Sequence, residues 1–213
     1  VVNKLIYFVE HGESRHNAEG IKQGSGGLLS EQGMAQVLAT AKRFPPRKGK
    51  PQIIISSPYE RAKETANIIA KELNLKVKYS DLLVERRSPS EIVGRKGDDR
   101  DVKLIVDQID KSFHGDDLRY SDEENFIDLK KRAKKLLRYI SRRRQRRIIM
   151  VTHHVFLKMV VSYMIYGEKL NVSLYNTLSY RNRIDNAGMA ICQYIPHWFA
   201  RDEWKVITWN DLI

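Results

Sequence analysis

The chain has 213 residues, 42% of them hydrophobic, which suits one α/β domain with a sizeable core and excludes a disordered or fibrous composition. Its one cysteine, Cys192, excludes a disulfide framework. The formal charge of +12 sits in one segment: residues 130–147, "KKRAKKLLRYISRRRQRR", hold eleven Lys or Arg and no acid, and the other 27 basic residues nearly balance 26 acidic ones.

Residues 4–9, "KLIYFV", form an apolar run of strand length, as expected of a central strand covered on both faces. Ser30 is a natural N-cap for a helix reaching about Phe44, with Gly33 as its weak point. "FPPRKGKP" breaks the chain, and "QIIISS" at 52–57 predicts a second buried strand. A helix follows Pro58, with Ala62, Ala66, Ile69, Ala70 and Leu73 at helical spacing. "LKVKYSDLLVE" predicts a third strand and a turn. Residues 86–121 are polar and irregular around one helix, "DVKLIVDQIDKSF", and are expected to form a cap inserted in a single domain spanning 1–213.

A long helix is expected from about Asp122 to Arg144, acidic at its start and basic at its end, which suits its dipole. "RIIMVT" at 147–152 predicts another buried strand, with a helix starting at or just after His153. The stretch at 155–166, "VFLKMVVSYMIY", contains Lys158 and is shorter than the ~20 residues of a membrane span. "AGMAICQYI" and "EWKVITWN" alternate as an edge hairpin would. No signal-peptide pattern is read before the first strand, so a cytoplasmic protein with no membrane attachment is expected. Strands alternating with helices imply a three-layer α/β/α sandwich with a mostly parallel sheet, an antiparallel hairpin at the C-terminal edge and a helical cap.

In such sheets ligands bind at the carboxyl ends of the strands. One end presents His11, Gly12, Ser14 and Asn17; a second Ser56, Ser57 and Arg61; a third Thr152 and His153. Glu85 follows the remaining strand. Imidazoles, a guanidinium, small polar donors and one acid together suit a phosphate pocket with a proton source. Gly12 would let backbone approach the anion, and the helix after His153 would add a positive dipole end.

"HGESRHN", "SSPYERAKETA" and "VTHH", each after an apolar strand and in this order, resemble the signatures of the histidine phosphatase superfamily, the phosphoglycerate mutase-like proteins. "LLSEQGMAQ" resembles the family's stretch before its first long helix. The resemblance implies phosphomonoester hydrolysis in two steps, without metal or other cofactor. His11 attacks phosphorus, Glu85 protonates the leaving oxygen and later activates water, and Arg61 and His153 hold the phosphoryl oxygens with help from Asn17. Asn17 is read equally well as a turn former, and Glu91 is the alternative acid. His154 is read as packing or exposed, and His16, His114 and His197 as surface residues.

The family's Arg-His-Gly reads Glu-His-Gly here, with Glu10 in the arginine position. Three outcomes follow: Glu10 turns away or is protonated, Arg86 or Arg87 supplies the missing charge, or the protein is a weakened enzyme or a phospho-ligand-binding pseudophosphatase. A mutase is the other alternative, but "ERRSPSEIVGRKG" lacks the Tyr-Gly pair of the family's mutases beyond its Glu-Arg. A small phosphorylated substrate is the expected partner. The basic helix carries Phe126, Leu129, Ala133, Leu136, Leu137 and Ile140 as a core-facing stripe, so its charges are read first as a solvated face. A patch for nucleic acid, anionic lipid or an acidic partner is the alternative.

Overall fold

The computed structural model describes residues 2–45, 49–113, 115, 118–181, 183–199 and 202–211; His114 lies outside them. β1 (Lys4–Glu10), β2 (Ile53–Ser56), β3 (Val77–Tyr79), β4 (Arg147–Thr152), β5 (Met189–Ile195) and β6 (Glu203–Asp211) form one sheet in the order β3-β2-β4-β1-β5-β6. β1, β2, β3 and β4 pair parallel, whereas β5 and β6 pair antiparallel at one edge.

The helices α1 (Arg15–Ala18), α2 (Glu31–Ala41), α3 (Glu60–Leu73), α4 (Arg100–Phe113), α5 (Phe126–Ser141), α6 (His154–Tyr166) and α7 (Val172–Arg181) follow the chain in that order. Strand side chains alternate between faces, and two cores result. Ile6, Phe8, Ile148 and Met150 meet Leu129, Leu136, Phe156 and Val160 from α5 and α6. Tyr7, Val9, Ile149 and Val151 meet Val37, Ala62, Ala66 and Ile69 from α2 and α3. Within the expected cap, Ile92, Val102 and Ile109 form a small cluster of their own.

The long helix is shorter than its charge pattern suggests. Asn125 takes the N-cap in a capping box with Asp128, so Asp122, Glu123 and Glu124 precede the helix. Glu123 instead accepts the amides of Tyr120 and Ser121. α7 was not legible in the sequence, because "VSLYNTLSYR" shows little apolar periodicity. Among the described residues no helix is long and apolar enough to cross a membrane.

Gly33 is a requirement of the fold rather than a weak point. A Cβ there would stand 2.0 Å from the Glu13 carbonyl oxygen, and a Cβ on Gly12 would stand 2.5 Å from that of Gly33. The turn after β1 and the helix α2 thus touch backbone to backbone. Gly33→Ala is expected to cost about 3 kcal/mol, the upper end for overpacking. A urea melt would check it, and a loss below 1 kcal/mol would mean that the turn yields freely.

Candidate active site

Three parallel strands end together at a cleft of about 610 Å³ lined by Glu10, His11, Asn17, Arg61, Glu85 and His154, among others. His11 follows β1 directly and is buried. Its Nδ1 lies 2.7 Å from the Gly12 carbonyl oxygen, which can only accept, so Nδ1 carries the hydrogen. Nε2 is left as a bare nitrogen. Burial first, and then the Arg61 charge, lower the His11 pKa to about 3, so the ring is neutral over the physiological range.

Arg61, in the first turn of α3, is 2% exposed. Its Nε donates to His11 Nε2 at 3.1 Å, and Nη1 donates to the carbonyls of Gly24 and Gly26. Its carbonyl accepts from Thr65 Oγ1, which in turn accepts the Gly12 amide, tying α3 to the turn after β1. His153, the N-cap of α6, is fully buried behind the cleft wall. Its ring lies 5.1 Å from that of His11, and its Nε2 is 2.8 Å from Ser57 Oγ at the end of β2. Ser57 Oγ also accepts the Tyr59 amide. His153 Nδ1 is buried without a partner. Burial holds the His153 pKa well below its ordinary value.

Glu85 reaches across from the loop after β3. Its carboxylate accepts the backbone amides of Val155 and Phe156 at 3.1 and 3.0 Å, and that of Arg86 at 2.8 Å. The N-terminus of α6 is therefore occupied by Glu85 and is not offered to a phosphate, contrary to the sequence expectation. Glu91 is exposed and does not line the cleft.

The profile of the histidine phosphatase superfamily (branch 1) matches residues 6–211. The chain belongs to that superfamily. A solved structure called mycobacterial hydrolase 1 is 19% identical with a TM-score of 0.79, over 99% of this chain and 100% of that one. A mycobacterial glucosyl-3-phosphoglycerate phosphatase complexed with VO3 is 22% identical with a TM-score of 0.77, over 98% and 99%. A putative alpha-ribazole-5'-P phosphatase from Escherichia coli is 16% identical with a TM-score of 0.78, over 98% and 96%. At these identities the likeness concerns the fold. No curated protein matches the chain.

Within this histidine phosphatase fold, Glu10 stands beside His11. It is 3% exposed, and its Oε1 lies 3.2 Å from His11 Nε2, while Oε2 is buried without a partner. Burial raises the Glu10 pKa well above its ordinary value; the nearby Glu85 charge raises it further, while Arg61 and Lys158 pull it down. With His11 neutral the contact is not an ion pair. A protonated Glu10 donates to the same lone pair that Arg61 Nε approaches, whereas an ionised one faces it in repulsion. Of the two arginines that follow Glu85, Arg86 lines the cleft but stacks on Phe113 at 4.3 Å, and Arg87 opens onto a different groove.

Two residues from the first turn serve the fold. Ser14 is fully buried and caps α1, with Oγ accepting the Asn17 amide and its one hydrogen within reach of either Asn17 Oδ1 or Gln23 Oε1. It does not reach the cleft. The Gly12 amide is spent on Thr65, and its missing side chain makes room for α2 rather than for an anion. Asn17 completes the capping box with Oδ1 and is exposed at the cleft edge.

His16 and His154 line the cleft rather than the outer surface. The single turn of α1 carries His16 back over the opening, and His154 Nδ1 bonds the Ile184 carbonyl. His197 is exposed.

The sequence reading missed Arg183 on the cleft wall and Arg132, which reaches the Glu85 loop from α5. Arg132 donates to the carbonyls of Val84 and Glu85, holds both oxygens of the buried Glu124, and stacks on Phe156 at 3.8 Å. Phe156 supplies one of the amides that bind Glu85, so Arg132 grips the Glu85 loop from both sides. The available signal was its place three residues after Leu129 and four before Leu136, at the border of the apolar stripe.

Proposed function

We infer that the protein is a phosphomonoesterase that works through a phosphohistidine on His11, with a turnover held down by Glu10. The observation that carries this reading is the fixed tautomer of His11, which presents a neutral Nε2 to the cleft. An imidazole in that state is nucleophilic without losing a proton. In the first step the Nε2 lone pair attacks phosphorus in line, the P–O bond to the leaving group breaks, and a proton from Glu85 goes to the departing oxygen. In the second, water attacks phosphorus and gives a proton to Glu85 while the P–N bond breaks, which frees neutral His11 and inorganic phosphate.

In this reading Arg61 holds the phosphoryl oxygens and Asn17 reaches them from the edge, whereas His153, buried behind the cleft wall, supports the His11 ring instead of the direct phosphate contact expected from the sequence. Positioning and positive charge carry most of such a barrier. Entry of the phosphoryl group requires Arg61 to turn from Nε2 and Glu10 to be neutral or withdrawn. We place the protein in the cytoplasm, in keeping with a lone, buried, free thiol at Cys192. The substrate is a phosphomonoester small enough for the cleft.

The test is incubation with p-nitrophenyl phosphate and with sugar phosphates, followed by a search for an acid-labile phosphoprotein. His11→Ala is expected to abolish both the phosphoprotein and turnover. Equal turnover in the variant would overturn the reading. One observation favours a second reading: Glu10 and Arg61 already crowd Nε2. A non-catalytic phospho-ligand binder predicts binding of inorganic phosphate with no phosphoprotein at any pH.

A further inference from the structure

We propose that the C-terminal half of α5, with the turn that follows it, is a docking surface for the phosphate backbone of double-stranded nucleic acid. Lys135, Arg138 and Arg142 are exposed and lie three and four residues apart, on one face of the helix. Arg144 and Arg146 continue the exposed row into β4. Among the described residues none of these five forms an ion pair, and the neighbouring Lys130, Arg132 and Lys134 are already engaged by Glu168, Leu170 or Glu124. Lys131 extends the row the other way, but it shares a groove with Asp81 and Asp128, so the positive field is cleanest toward the C-terminal half. There Lys135, Arg138, Tyr139, Arg142 and Arg143 line a concavity of about 350 Å³. A chain with a pI near 9.7 whose excess charge is gathered along one helix has the electrostatic footprint of a polyanion binder.

The surroundings select the occupant. Single strands want exposed rings to stack on, and the one aromatic here, Tyr139, is half-buried with the Arg143 guanidinium 5.4 Å over its ring. A membrane-bound helix inserts apolar side chains, and no large apolar residue of α5 or of 142–147 is exposed; they all face the core. A protein partner would want apolar anchors for the same reason. A row of exposed cations without apolar neighbours fits the phosphates of a duplex, contacted without reading sequence.

The surface is remote from the cleft. β4 leaves it at Arg147 and arrives beside His11 only at Thr152, about 17 Å on at the rise of a strand. The inference therefore stands whether or not His11 is catalytic.

The experiment is fluorescence anisotropy of a labelled 20-base-pair RNA or DNA duplex with the full chain, from 50 to 200 mM salt. Five neutralised phosphates give a slope of about −4.5 in log K against log salt, a loss of roughly 500-fold over that range. Charge reversal in K135E/R138E/R142E is expected to weaken binding at least 100-fold at 50 mM salt. The variant K71E/K76E/K78E, an equal charge change at exposed lysines near β3, is expected to lose less than a tenth of that. Both should keep the far-UV spectrum and hydrolysis rate of the parent. Equal losses in the two variants, or no duplex binding at 50 mM salt, would overturn the proposal. So would binding to phosphatidylserine vesicles, abolished by the first variant, in the absence of duplex binding.

Discussion

Replacing Glu10 by glutamine is expected to raise kcat/KM for phosphomonoesters by about 10²–10³-fold at pH above the raised Glu10 pKa, and far less below it. An ionised carboxylate about 4 Å from a phosphoryl charge is repelled by roughly 4 kcal/mol at an effective dielectric of 20, which is about three decades in rate. The bound substrate feels this repulsion as the transition state does, so the gain belongs mostly to KM. Four ionisable groups bear on Glu10: His11 and Arg61 beside it, Glu85 across the cleft, and Lys158 from α6. Its pKa is raised, so it is neutral in acid and charged in base.

Wild-type activity should therefore decline as pH rises through the raised Glu10 value, and on the acid side as His11 protonates near 3. The ratio of Glu10→Gln to wild-type rates removes the substrate's own titration and should climb with pH; a flat ratio would show that Glu10 does not control the site. Stability follows the same proton. Glu10 contributes most below the ordinary carboxyl value of 4.5, and the contribution is lost as pH rises toward the raised folded value. Glu10→Gln should escape that loss, so its Tm advantage grows from pH 4.5 upward. Glu10→Arg should raise activity further but lower Tm beside Arg61 and Lys158, with inorganic phosphate restoring the Tm.

Arg132→Ala is expected to destabilise the fold by about 3–5 kcal/mol, since it leaves the buried Glu124 carboxylate without its partner. Urea unfolding measures that. The more informative effect is on the reaction, because Arg132 positions Glu85 without touching substrate. Arg132→Lys keeps the charge but loses the planar fork that holds Glu124 and the two loop carbonyls together. In that variant, turnover of alkyl phosphates, whose leaving oxygen needs a proton, should fall at least tenfold more than turnover of p-nitrophenyl phosphate, whose leaving group does not. Equal losses on both substrates would mark Arg132 as structural only.

The order of strands and helices was legible because central strands here are continuous apolar runs and helices carry periodic stripes, as in "QIIISS" and α3. His11, Arg61 and His153 were legible because each follows such a run directly, at a strand end or in the first turn of the next helix. The boundaries of α5 were not, since the acidic residues before Asn125 complement a helix dipole as well as they bind loop amides. Ser14 and Gly12 read as ligand groups because a small polar residue after a strand looks the same whether its atoms face an anion or a neighbouring helix.

By itself the sequence determined the family, the sheet with its antiparallel edge, and the substitution of Glu for Arg at position 10. Those are properties of local pattern and residue identity. Only the tertiary structure decided where that substitution acts: Glu10 is set at 3.2 Å from His11 Nε2, in a site dry enough to raise its pKa well above the ordinary value. It also decided that Arg132, from the most basic stretch of the chain, is half-buried against the Glu85 loop while Lys135, Arg138 and Arg142 remain in water. The physical reason is common to both. A side chain's charge and reactivity are set by burial and by neighbours distant in sequence, and no periodicity along the chain encodes which neighbours those are.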